Sequence, residues 1–206
     1  HAQDYYRRAL AIDPHDYRNN VALGTLALNA ADWGQAQQCA EAALVRAHRL
    51  NKNPRDGEAS WLLATALARQ GNDDAAWDSY YKASWSGNYR DAAFWALARL
   101  AMKRGDYTDA LEKVEKSLLF NGSNNLAMGL KALVLARLGR EDEALRWIAQ
   151  QLSHYPLSYP LHYARFAIRG DAADRDTLLQ VTGCLLYTSD AADDMQCVDL
   201  GGRRII

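Results

Sequence analysis

Residues 67–80, 101–114 and 135–148 read LARQGNDDAAWDSY, AMKRGDYTDALEKV and LARLGREDEALRWI. Set beneath one another, they put Gly71, Gly105 and Gly139 in one column at an interval of 34 residues, and Ala76, Ala110 and Ala144 in a second. The loop positions Asn88, Gly122 and Pro156 keep the same interval. A fixed period of this length signifies one supersecondary unit repeated along the chain, each copy burying its apolar face against its neighbours. The columns say what the unit is. A glycine between two helical segments can take the left-handed backbone that ends the first. Asn72, Asp106 and Glu141, just beyond it, can cap or charge the start of the second. Alanine lets two helix backbones approach closely, while Tyr80, Val114 and Ile148 fill the space one turn further on. The unit is a hairpin of two antiparallel helices.

These columns resemble the tetratricopeptide repeat. That family places small, aromatic, small and Pro residues at set offsets in its second helix, and Ala2, Tyr6, Ala9 and Pro14 match all four. The chain thus opens inside a second helix. Full repeats begin at Tyr17, Gly57, Asp91 and Asn125, and a partial one at Tyr159. The resemblance implies an all-α fold, a right-handed superhelix of stacked antiparallel hairpins, over residues 1–183.

Two stretches depart from the pattern. In ALVRAHRLNKNP, residues 43–54, the Pro arrives six residues late. This predicts a second helix lengthened by nearly two turns, with Arg46, Arg49 and Lys52 on neighbouring faces, either as a docking knob or as a solvated helix end. In YYKASWSGNYRDAAFW, residues 80–95, Trp85, Tyr89, Phe94 and Trp95 crowd one connection between repeats. Such a cluster either packs consecutive hairpins together or forms a binding surface.

The ending, CLLYTSDAADDMQCVDLGGRRII, has no helical stripe and no strand alternation. Cys184 to Ser189 back-translates to TGT CTC TTA TAC ACA TCT and Val198 to Ile206 to GTA GAT CTC GGT GGT CGC CGT ATC ATT. Both resemble parts of a transposon-derived sequencing adapter, with Asp194 to Cys197 where a variable index would lie. Residues 184–206 are therefore expected to be a non-native tail, outside the fold. Without Arg203, Arg204, Asp190, Asp193, Asp194 and Asp199, the formal charge moves from −1 to +1. One cysteine, Cys39, is left, which allows no intrachain disulfide and makes a reduced cytoplasm the default. No run of 18 apolar residues suggests a membrane span. Near-neutral charge argues against a nucleic-acid partner. The chain begins at His1 in mid-pattern and is expected to be a fragment, incomplete at both ends.

A narrower resemblance enters with the aromatic stretch and the helices after it, ALARLAMKRGDYTDALEKVEKSLLFNGSNNLAMGLKALVLARLGREDEAL, residues 96–145. They look like the C-terminal helical region of large bacterial proteins that carry a β-rich domain of unknown function, DUF5107, ahead of their repeats. That implies a sugar-related context and an upstream domain as partner. No residue of the β-rich domain is present, so no catalytic residue is carried over.

The repeat resemblance also implies a binding face, because positions 2, 5, 9, 12 and 13 of each first helix line the concave side. Position 13 is Asn29, Arg69, Lys103 and Arg137; position 5 is Val21, Trp61, Trp95 and Gly129; position 9 adds Arg99 beside Thr25 and Thr65. The candidate groove is therefore Trp61, Arg69, Trp95, Arg99, Lys103 and Arg137. Cations with indole walls suit an extended peptide or partner domain of acidic or aromatic character, and equally sugar rings. The same cations also suit the C-terminal turns of their helices, where the dipole favours positive charge. The Lys and Asn carboxylate clamp of chaperone-tail-binding members is missing at positions 5 and 9. His1, His15, His48, His154 and His162 lack ligand spacing, and no catalytic, metal or cofactor motif is legible.

Overall fold

The structure, a computed structural model, describes residues 2–50 and 56–186. Its helices are α1 (Ala2–Ile12), α2 (Tyr17–Asn29), α3 (Trp33–Leu50), α4 (Glu58–Arg69), α5 (Asp73–Ala83), α6 (Arg90–Lys103), α7 (Tyr107–Phe120), α8 (Asn125–Arg137), α9 (Glu141–His154), α10 (Tyr159–Arg169) and α11 (Ala172–Leu186). Among the described residues there is no strand. The chain forms two compact units, His1–Leu97 and Ala98–Ile206. In the first, α2 packs on α1, α3 and α4, and α4 on α5; in the second, α8 packs on α7, α9 and α10, and α10 on α11.

The glycine column ends the first helices as its chemistry requires. Gly71, Gly105 and Gly139 have φ of 82°, 80° and 74°. At each, the amide one residue later reaches back to a helix carbonyl: Asn72 N to Leu67 O at 2.9 Å, Asp106 N to Ala101 O at 3.0 Å, and Arg140 N to Leu135 O at 2.9 Å. This is the six-to-one bond of a Schellman turn, closed by a left-handed residue. Ala31 occupies the same column in the first full repeat, with φ 58° and the same bond from Asp32 N to Ala27 O at 2.9 Å. It is the one non-glycine with positive φ among the described residues, and a Cβ there clashes locally. Asn72 and Asp106 then cap the second helices, accepting from Ala75 N and Asp109 N. Glu141 instead stands inside the first turn of α9 with Asp142 and Glu143, and the cap residue, Arg140, makes no side-chain cap bond. Its guanidinium holds Glu143 at 2.7 Å and keeps that carboxylate below its ordinary pKa.

The alanine column is the packing seam. Ala36, Ala76, Ala110 and Ala144 are all fully buried, with Tyr80, Val114 and Ile148 buried one turn further on. Ala36 meets Ala27 and Ala66 in one cluster; Ile148 meets Met128, Ala132, Leu161 and Ala164 in another. Neighbouring first helices come close enough to demand glycine at one position: a Cβ on Gly129 would lie 2.7 Å from the Pro160 carbonyl oxygen.

The lengthened second helix is present, since α3 has 18 residues against 11 in α5 and 14 in α7 and α9. Arg46 is not a free knob. Its guanidinium pairs with Asp13, and Nε donates to the His15 carbonyl at 3.4 Å, fastening the α1–α2 loop. Arg49 is exposed, and Lys52 and Pro54 lie outside the described residues. At the other end, α10 stops at Gly170, φ 70°. Its partner α11 is held by Asp174, a buried carboxylate 2.6 Å from Arg165 and 3.7 Å from Arg169. Helix α11 runs to Leu186, three residues beyond Gly183; the rest of the expected tail, 187–206, lies outside the described residues.

Candidate functional site

In the first unit, Trp61 stands at position 5 of α4, half-buried in an aromatic cluster. Its ring centroid is 5.1 Å from that of Tyr80 and 5.9 Å from that of Tyr89. The Tyr80 hydroxyl lies 3.3 Å from Thr65 Oγ1, which donates to the Trp61 carbonyl at 2.9 Å. Tyr89 also bonds to Glu58, and burial together with the Glu58 and Asp56 carboxylates pushes its pKa up. Tyr17 behaves alike, raised by burial and by a hydrogen bond to Asp56. Both phenols therefore stay protonated and act as donors. This end of the groove face carries two carboxylates beside its indole, a feature hidden from sequence because Asp56 and Glu58 precede or open α4 rather than recur in a column.

Arg69 ends α4 exposed, but it has an aromatic platform: its guanidinium carbon is 5.7 Å from the Trp33 ring centroid. Gln70 ties the same helix end to α3, donating to the Trp33 carbonyl at 3.2 Å and to Gln37 Oε1 at 2.9 Å. Trp33 was not among the sequence candidates. Its signal was there, an aromatic opening a second helix directly after the turn.

On α6, Trp95, Arg99 and Lys103 recur every four residues and so share one side of the helix. Trp95 and Arg99 are half-buried, and Lys103, the last residue, is exposed. In the second unit, Arg137 ends α8, exposed and with no ion pair among the described residues. Position 5 of that helix is Gly129, covered by Pro160, so no indole is offered there. The unit's remaining tryptophan, Trp147, is engaged: Lys131 sits 4.6 Å from its ring centroid and 2.9 Å from Glu115, and its indole donates to the Met128 carbonyl at 3.2 Å. What these surfaces offer chemically is recognition, through flat aromatic faces and cationic donors. Among the described residues no group of His, Cys, Asp and Glu could hold a metal ion, and no helix is long and apolar enough to cross a membrane.

Hairpins joined through left-handed turns, sealed by alanine and presenting one face of each first helix, define a helical-repeat solenoid. The chain belongs to the tetratricopeptide repeat family, whose model matches residues 21–93 and 96–154. Among solved structures it is similar to MamA, with 20% identity and a TM-score of 0.65 over 73% of this chain and 85% of that one. It is also similar to YrrB, described as a TPR protein with an unusual peptide-binding site, at 18% identity and a TM-score of 0.62 over 93% of this chain and 92% of that one. A tetratricopeptide repeat protein from Parabacteroides merdae gives 15% identity and a TM-score of 0.68 over 90% of this chain and 71% of that one.

Proposed function

We propose that this protein is a non-catalytic interaction scaffold that holds an extended peptide or a partner domain of acidic character against the first-helix face bearing Trp61, Arg69, Trp95, Arg99, Lys103 and Arg137. The observation that carries the proposal is the stripe Trp95, Arg99, Lys103 on α6, an indole followed by two cations one turn apart. Spacing of about 6 Å per turn pair lets an aromatic side chain and successive carboxylates of one ligand engage together. Membership of a repeat family and the peptide-binding description of YrrB support recognition as the role. Arg69 on Trp33 and Arg137 on α8 extend the same chemistry to other repeats.

The test is a selection of displayed peptides against the full chain and against a triple variant, Arg69→Ala, Lys103→Ala and Arg137→Ala. The expected result is enrichment of Asp, Glu and aromatic residues for the native chain, lost with the variant. For one selected peptide, salt should weaken binding to the native chain more steeply than to the variant. Trp95→Ala should weaken it at every salt concentration, since stacking is screened less than Coulomb attraction. Peptides without acidic character, or equal affinities for the native chain and the triple variant at low salt, would sink the proposal.

A further inference from the structure

The same three positions of the first helices face the preceding hairpin, and they are not equally covered. Positions 3, 6 and 10 are Ala59, Leu62 and Ala66 in α4, Ala93, Ala96 and Leu100 in α6, and Ala127, Leu130 and Val134 in α8, and all nine are buried. In α2 they are Asn19, Ala22 and Leu26, and all three are only half-buried. A cleft of about 490 Å³ lies on this flank, walled by Tyr6 of α1 and by Ala22 and Leu26 of α2, with Arg18 and Glu58 also lining it. Helix α1 has no buried residue, and Tyr5 and Ile12 on it are exposed.

The interior of the first unit shows what fills such a place. Helix α2 itself covers the corresponding face of α4: a Cβ on Gly24 would lie 2.6 Å from Leu62 Cδ2, and Ala27 packs with Ala66 and Ala36. The filler is therefore an α-helix whose contact stripe contains small residues three apart. The polar lining sets its charge. Arg18 is exposed and makes no ion pair among the described residues, whereas Glu58 is already engaged by Tyr89.

We infer that the α1/α2 cleft is a docking seat for an amphipathic helix of a partner polypeptide, carrying small residues at the contact and a carboxylate that meets Arg18. The seat is separate from the cationic face and stands without it. Docking buries Ala22 and Leu26 as their counterparts are buried in α4, and it gives α1 the second neighbour that it lacks.

The probe is a labelled synthetic peptide of residues 16–30, the helix that holds the equivalent place on α3 and α4, with the change R18E to supply the carboxylate. Titrated into the full chain, it should bind saturably and shift the amide resonances of Tyr6, Ala22 and Leu26. Leu26→Lys in the full chain should weaken binding about tenfold or more. Arg18→Ala, a change at an exposed residue that keeps the fold, should abolish the preference for the R18E peptide over the native-sequence peptide, expected to be roughly threefold at low salt. Absence of saturable binding, resonance shifts confined to the Trp95 and Lys103 face, or an unchanged peptide preference in Arg18→Ala would overturn the inference. A working seat with a silent cationic face, or the reverse, separates this inference from the groove proposal.

Discussion

Helices α2 and α8 hold the same place in their repeats and have equal length, 13 residues, yet their burial differs. In α8, Leu130 and Val134 are buried, because hairpins lie on both flanks. In α2, Ala22 and Leu26 at those positions are half-buried, with only α1 on that side. The apolar residue is supplied in both cases; the neighbour decides whether water leaves it. In a solenoid the energetic value of a side chain is thus a property of the stack more than of its own helix.

The difference can be sharpened by substitution. Leu130→Ala should cost about 2–4 kcal/mol, the cost of a cavity in a closed core, whereas Leu26→Ala should cost less than about 1 kcal/mol, since water already reaches that site. Paired urea melts of the two variants measure this, and equal losses would break the comparison. Gly129→Ala should cost about 1–3 kcal/mol by overpacking. The clash is with the Pro160 backbone, which cannot rotate aside as a side chain would. Ala31→Gly should go the other way and stabilise by about 1 kcal/mol, relieving a left-handed Cβ in a turn whose column otherwise holds glycine. A lower midpoint for that variant would mean that Ala31 contributes packing that its φ does not reveal. Arg69→Ala, Lys103→Ala and Arg137→Ala should each change stability by about 0–1 kcal/mol, the range for exposed charges. Their effect should appear in binding instead.

The hairpins were legible because two residue types can fill two columns: glycine or a substitute at the left-handed turn, and alanine where backbones meet. The same logic located the long α3, since a displaced loop proline shifts the register. What sequence could not supply was partnership across the period. Arg46 fastening Asp13, Arg69 lying over Trp33 and Tyr89 reaching Glu58 each join residues that share no column. Of the candidate site, the stripe Trp95, Arg99, Lys103 could be read from spacing four apart on one helix. The carboxylates beside Trp61 could not, nor the loss of an indole at Gly129's place to the approach of Pro160. The open flank of α2 was invisible for another reason: Ala22 and Leu26 are ordinary core residues by type, and only coordinates tell that nothing closes over them.

Native-state hydrogen exchange of the full chain tests most directly whether neighbours set stability. Amides of α8, flanked on both sides, should exchange orders of magnitude more slowly than those of α1, which buries no residue, with α2 between them. Equal protection of α1, α2 and α8 would contradict the account, because each helix would then owe its stability to something other than the hairpins stacked against it.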